Sequence, residues 1–164
     1  MYEGIKKKIL ESFEERNKPE VFLCSTLHRD NLSSKYVSEF FGLVDSLFVK
    51  RRQGRDREVH ICRIDKQNYK DYLKDIEEKL AVLYGYNPQN INIPTERKIQ
   101  ILDEQIKYEQ TQCKALNLNK KAKGNYTKRT NLRESKVAKI ERLRKQRETY
   151  VIQLKNAKRE EREC

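Results

Sequence analysis

The chain has 164 residues, of which 36% are hydrophobic and 38% are charged. This composition excludes a single core built from the whole length, because too few apolar residues are present to cover it. The formal net charge is +12, and a surplus of this size attracts polyanions such as nucleic acid, anionic membranes and acidic proteins.

A membrane is the least favoured of these partners. No apolar run approaches the roughly 20 residues of a spanning helix, and the N-terminus lacks the apolar segment of a signal peptide. Glycine and proline are scarce, at 5 and 3, which suits long helices. We therefore expect an intracellular protein, cytoplasmic or nuclear, that is mainly α with a small β-hairpin.

The first predicted element is an amphipathic helix within residues 2–17, where Ile5, Ile9 and Phe13 recur on one helical face. A short apolar run, 21–27, follows. It predicts a second short helix, although its Val-Phe-Leu start suits a strand equally well.

Residues 32–44 form the most informative segment and predict a third helix. A pair of serines offers the N-cap, and Val37, Phe40 and Phe41 give the spacing of an amphipathic stripe. Gly42 is placed to end or bend this helix.

Two runs that are typical of strands, 47–52 and 57–64, flank a glycine-containing turn of hairpin length. The order of helix, helix, helix and basic hairpin resembles the winged helix-turn-helix superfamily over about residues 2–85. Within it, "LSSKYVSEFFGLVDSLFVKRR" resembles a recognition helix followed by the first strand of a wing. The resemblance implies that this helix docks in the major groove of DNA while the wing contacts the backbone.

Another amphipathic stretch begins at Asp65, predicts a helix that packs back on the head and ends near Gly85. The loop-rich segment 87–94 is the predicted linker between a head of residues 1–86 and a charged helical tail of residues 95–164.

The tail contains two sparse apolar seams around a basic loop at about 117–133. Their members are Ile99, Leu102, Ile106, Cys113 and Leu116, then Val137, Ile140, Leu143, Tyr150, Val151 and Leu154. Glu109 interrupts the first seam and Arg147 the second. Such helices form an antiparallel hairpin, or a coiled coil that supplies one arm of an oligomer, so we expect a homodimer or a protein partner at the tail.

Three groups of residues are candidates for nucleic-acid contact, because basic and small polar side chains bind phosphates and base edges. The groups are Ser33, Ser34, Lys35, Tyr36 and Ser38 on the third helix; Lys50, Arg51, Arg52, Arg55 and Arg57 on the hairpin; and Lys120, Lys121, Lys123, Lys128 and Arg129 in the tail loop. Each group also has a simpler interpretation: the third helix as a capped surface helix, the hairpin as a solvated charged turn and the tail loop as a solvated linker.

A zinc site and an enzyme are both disfavoured. Cys24, His28, His60 and Cys62 have suitable ligand types, but their spacing matches no zinc-finger pattern, and reduced buried thiols with a hydrogen-bonded histidine explain them more simply. The chain has 2 histidines and neither a glycine-rich phosphate loop nor a GxSxG motif. We expect no catalysis, no metal and no cofactor.

The sequence therefore predicts a DNA-binding protein, a transcriptional regulator or an architectural protein, with duplex DNA as its partner and RNA as the alternative. A rival interpretation is a non-catalytic assembly subunit that aims its positive charge at an acidic protein.

Overall fold

The computed structural model describes the backbone of residues 1–28, 32–43, 45–52, 55–118 and 126–163. The chain is mainly helical with a small antiparallel sheet, as predicted. Its internal contacts divide it into two compact units, Met1–Glu77 and Glu78–Cys164. The division lies ahead of the predicted boundary at residue 86.

The first unit alternates helices and strands. Its elements are α1 (Tyr2–Leu10), a π-helical turn (Glu11–Glu15), β1 (Glu20–His28), α2 (Leu32–Phe40), β2 (Asp45–Arg52), β3 (Arg55–Asp65) and the start of α3 (Tyr69–Tyr84). The predicted hairpin is formed by β2 and β3. It belongs to a three-stranded sheet in the order β1-β3-β2, in which both pairs are antiparallel.

The predicted second helix is wrong, because the run 21–27 lies within strand β1. This strand pairs with β3 from Glu20 opposite Asp65 to His28 opposite Arg57. The long β3 supplies hydrogen-bonding partners along all of β1, and that tertiary pairing overrides the weak local helix signal. The element before α2 is consequently a strand, where the helix-turn-helix pattern has a helix.

Helix α2 is rotated relative to the predicted stripe. Val37, expected on the apolar face, is 41% exposed, whereas Ser38 is 4% exposed and Phe41 8%. The helix ends at Phe40, and two residues later Gly42 has a φ of 72°, in the left-handed region that favours glycine. There the Leu43 N–H donates to the Ser38 carbonyl, which closes the helix end.

Apolar side chains of α1, the π-helical turn, α2, α3 and the strands fill the core of the first unit. The buried members are Tyr2, Ile9, Phe13, Leu27, Phe41, Leu43, Ile64, Tyr69, Leu73 and Ile76. The rings of Phe13 and Tyr69 stack with centroids 4.6 Å apart. The Tyr2 hydroxyl donates to Glu77 Oε1 at 2.8 Å, and burial raises the pKa of Tyr2.

The second unit contains the end of α3, α4 (Thr95–Leu118) and α5 (Tyr126–Glu163). Its core consists of Val82, Ile93, Ile101, Leu102, Ile106, Ile140 and Leu143. Ile93 is 4% exposed, and the Ile91 N–H donates to Asn87 Oδ1 at 2.7 Å. The segment predicted as a linker therefore contributes to this core.

Helices α4 and α5 run antiparallel, since contacts pair early positions of one with late positions of the other. Arg147 Nη2 donates to Asp103 Oδ2 at 3.2 Å, and Lys139 Nζ donates to Glu109 Oε1 at 2.6 Å. The predicted loop at 117–133 is too long, because α5 begins at Tyr126.

None of the helices in the described ranges combines the length and the apolar composition that crossing a membrane requires.

Candidate nucleic-acid interface

The β2–β3 hairpin places four of its five candidate cations in opposed pairs, whereas Arg51 is opposite Asp56. The backbone register places Lys50 opposite Arg57 and Arg52 opposite Arg55. The side chains of these residues lie outside the described part of the structure, so the register alone locates them. Like charges directly opposite each other destabilise an antiparallel pair, and a bound polyanion offsets that repulsion.

An irregularity in β2 separates this basic end from the rest of the sheet. Ser46 is opposite His60 and Val49 is opposite Glu58, so β2 contains one residue more than β3 between these pairs. Such a bulge increases the local twist and re-aims the strand beyond it. The basic end of the hairpin, from Lys50 onward, lies beyond this irregularity.

Lys35, predicted to contact nucleic acid from α2, forms an ion pair with the sheet. Its Nζ lies 2.9 Å from Glu58 Oε2, and the two side chains are partly exposed, at 26% and 15%. The same carboxylate oxygen is 3.1 Å from His60 Nε2. The hydrogen bond from Lys35, followed by that from His60, lowers the pKa of Glu58. A phosphate that binds Lys35 would compete with Glu58.

Ser38 is not on an exposed polar side of α2, and its predicted position is wrong. Its hydroxyl is 2.8 Å from that of Ser25 on β1, and it is 4% exposed. The helix turns this side chain towards the sheet because Phe41, one turn later, enters the core. Ser34 and Tyr36 are partly exposed, while the Ser33 side chain lies outside the described residues.

The four residues weighed as zinc ligands do not converge. Cys24 is opposite Ile61 and Cys62 is opposite Leu23, so the two cysteines occupy opposite faces of the sheet. His60 Nδ1 is 3.1 Å from the Leu43 carbonyl oxygen, and the His28 side chain lies outside the described part. Over the described residues, no group of three or more His, Cys, Asp or Glu is arranged to hold a metal ion.

The predicted basic loop is only partly within the described structure. Lys120, Lys121 and Lys123 lie outside it. Lys128 and Arg129 belong to the first turns of α5, where the backbone is described and the side chains are not. Their assignment to nucleic-acid contact stays a prediction.

Sequence reasoning missed the exposed outer face of the sheet. Phe22 on β1 is 54% exposed, and the register places it opposite Arg63, whose side chain is 62% exposed. The available signal was the Val-Phe-Leu start of the run, which suits a strand.

Sequence reasoning also missed a buried carboxylate in the second unit. Glu109, noted only as an interruption of a seam, is 1% exposed. Lys136 Nζ and Lys139 Nζ lie 2.8 and 2.6 Å from its oxygens. The signal was an acid at a core spacing, which has to be paired when it is buried.

Comparisons of the chain with protein-family models, curated proteins and solved structures find no match in any of the three.

Proposed function

We propose that the protein binds nucleic acid, with duplex DNA as the preferred partner, and that the β2–β3 hairpin is the main contact. The observation that carries this proposal is the strand register, which sets Lys50 opposite Arg57 and Arg52 opposite Arg55. Pairing of this kind is unfavourable for the free protein. A phosphate backbone stabilises it, because each cation then neutralises a phosphate and releases counterions.

The shape of the hairpin agrees with a duplex partner. The major groove of B-DNA accommodates a two-stranded β-ribbon, and a wing beside the groove contacts the phosphates. In the winged-helix arrangement that the sequence resembles, α2 lies in the groove next to this wing. Ser34, Lys35 and Tyr36 are the candidates on α2 that stay partly exposed, and Lys35 is ion-paired with Glu58. The role proposed for the whole chain is a transcriptional regulator or an architectural protein.

A salt-resolved titration of the full-length protein tests the hairpin. We expect the double substitution Arg52→Gln and Arg55→Gln to weaken duplex binding and to reduce the slope of log K against log salt by about 1 to 2, at roughly 0.9 per phosphate contact. The matched control is Lys155→Gln with Lys158→Gln, which removes the same charge from exposed positions of α5.

Stability provides an independent readout for the same pair of variants. The substitution of Arg52 and Arg55 removes a like-charge opposition, so the unbound variant should melt at the same or a higher temperature than the wild type. Equal salt slopes for the hairpin and control variants would contradict the proposal. Single-stranded RNA and an acidic protein, titrated alongside, test the two alternative partners.

A further inference from the structure

The outer face of the sheet, defined here as Phe22, Cys24, Thr26, Val59, Ile61 and Arg63, is a second surface of the first unit. These residues occupy alternate positions of β1 and β3, with Phe22 opposite Arg63, Cys24 opposite Ile61 and Thr26 opposite Val59. The three β1 residues are exposed and Val59 and Ile61 are partly exposed. The intervening residues, such as Leu27 and Ile64, are buried in the core.

An aromatic ring on this face is costly to leave in water. Phe22 is 54% exposed, whereas Phe13 and Phe41 are 2% and 8% exposed. Burying a phenylalanine fully is favourable, and the core of this unit takes up the rings of Phe13 and Phe41. The exposure of Phe22 follows from the strand alternation, which leaves its position on the side away from the helices.

Arg63 is opposite Phe22 in the strand register and forms two exposed ion pairs. Its Nε is 2.8 Å from Glu20 Oε2 and 3.0 Å from Asp65 Oδ1. A guanidinium is planar, and such planes stack on nucleic-acid bases as aromatic rings do. The two carboxylates repel phosphate at this end of the sheet.

Along strand β3, the alternate positions of the outer face continue into the basic hairpin. Arg55 and Arg57 occupy the alternate positions of β3 that lead to Val59, Ile61 and Arg63. The face therefore begins with cationic positions at the hairpin and continues through apolar residues in its middle. At its other end are Phe22 and the two acids that pair with Arg63. This gradient matches a strand whose phosphates lie at the hairpin and whose bases extend along the sheet.

We propose that the outer face binds unpaired nucleotides next to the duplex, with Phe22 as the stacking platform and Arg63 beside it. The proposal rests on the function proposed above and specifies its substrate as a junction between duplex and single strand. Stacking tolerates every base, because each has a π-face, so this surface adds affinity without sequence preference.

The test uses the full-length protein and two labelled probes, a blunt duplex and the same duplex with an overhang of about six nucleotides, a length within the usual range of single-strand sites. Overhangs of both polarities are included. For Phe22→Ala we expect blunt-duplex affinity to be unchanged and the added affinity of one overhang to fall about tenfold. The control Ile152→Ala removes another large apolar side chain that is 49% exposed, on α5, and should change neither probe.

Two further variants separate stacking from general apolar contact. Phe22→Leu should lose the overhang affinity, while Phe22→Tyr should retain it. The chain contains no tryptophan, so Phe22→Trp introduces a single tryptophan. With selective excitation of that indole, stacked bases should quench its emission with the overhang probe and not with the blunt duplex.

Equal overhang affinity in the wild type and Phe22→Ala, or unquenched fluorescence of the Phe22→Trp variant with the overhang probe bound, overturns the stacking site. Blunt-duplex binding that depends on the hairpin would then still stand, so the two proposals fail separately. If light scattering shows concentration-dependent self-association that Phe22→Ala abolishes and the overhang does not relieve, the face joins two protein copies and the proposal is wrong.

Discussion

The two units treat their secondary structure in opposite ways. In the second unit, the seams of α4 and α5 face each other, and Ile101, Leu102 and Leu143 are nearly inaccessible. In the first unit, helices cover one face of the sheet and Phe22 remains 54% exposed on the other. A seam closed within the chain provides stability, whereas an open sheet face is available for a ligand.

The units also differ in the partners that satisfy their buried polar groups. In the second unit, Glu109 accepts two lysine hydrogen bonds within a helix pair. In the first, Ser25 and Ser38 share a neutral hydrogen bond, and Glu58 binds Lys35. Ion pairs thus join the two helices of the second unit. In the first unit, one ion pair and one neutral hydrogen bond join α2 to the sheet.

The largest expected effects test whether the units unfold separately. Ile9→Ala in the first unit and Leu102→Ala in the second remove side chains that are both 0% exposed. Each should destabilise its own unit by about 3 kcal/mol, the usual cost of such a cavity. Hydrogen exchange followed by mass spectrometry locates the loss. Equal acceleration in both units by either variant would contradict two separable cores.

Glu109→Ala should be nearly as harmful, at about 3 kcal/mol in the second unit, because it leaves two lysines without their shared buried partner. The control is Glu104→Ala, an exposed acid on the same helix that hydrogen-bonds Gln100. Denaturant titration of both variants measures the difference. Similar midpoints would show that the buried carboxylate contributes no more than an exposed one.

Acid should weaken the second unit through the same carboxylate. Burial by itself raises the pKa of Glu109, but the hydrogen bonds from Lys136 and Lys139 outweigh it, and the pKa is lowered from 4.5. The stabilisation is therefore complete above the unfolded pKa and is lost as pH falls through the folded pKa. In melts between about pH 3 and pH 7, Glu109→Gln should show a flatter acid limb than the wild type; parallel limbs would exclude this group as the cause.

The smallest expected effect tests the position of Ser38. Ser38→Ala should cost about 1 kcal/mol by leaving Ser25 without its partner, whereas Ser25→Ala with Ser38→Ala should be closer to neutral. Neither variant should change the preference of the protein among duplex sequences. A competition assay over a pool of randomised duplexes measures this preference. A shift in preference without a change in stability would return Ser38 to the reading surface.

Periodic patterns predicted the elements whose signal is local. The amphipathic helix at the start, the hairpin around Gly54, the end of α3 near Gly85 and the two tail helices all carry local spacing or turn residues. The strand β1 was missed because its run is short and begins with three consecutive apolar residues, a pattern that periodicity alone does not assign to strand or helix. Only the partner strand decides such a segment.

The candidate site was predicted in part, for a related reason. The basic hairpin was visible as consecutive cations, and the register adds which of them are opposed. The rotation of α2, which buries Ser38 and exposes Val37, was invisible because a serine and a valine one residue apart both fit a helix surface. The interior contact with Ser25, which is distant in sequence, selects between them.

The sequence by itself determined the mainly helical class, the charge surplus and the place of the basic hairpin, because these depend on composition and on neighbouring residues. The tertiary structure alone decided that 21–27 is a strand, that Ser38 is buried and that Glu109 is the shared partner of two lysines. Each of these depends on a group brought from far along the chain, and the free energy of burial or pairing that it supplies exceeds the small local preference.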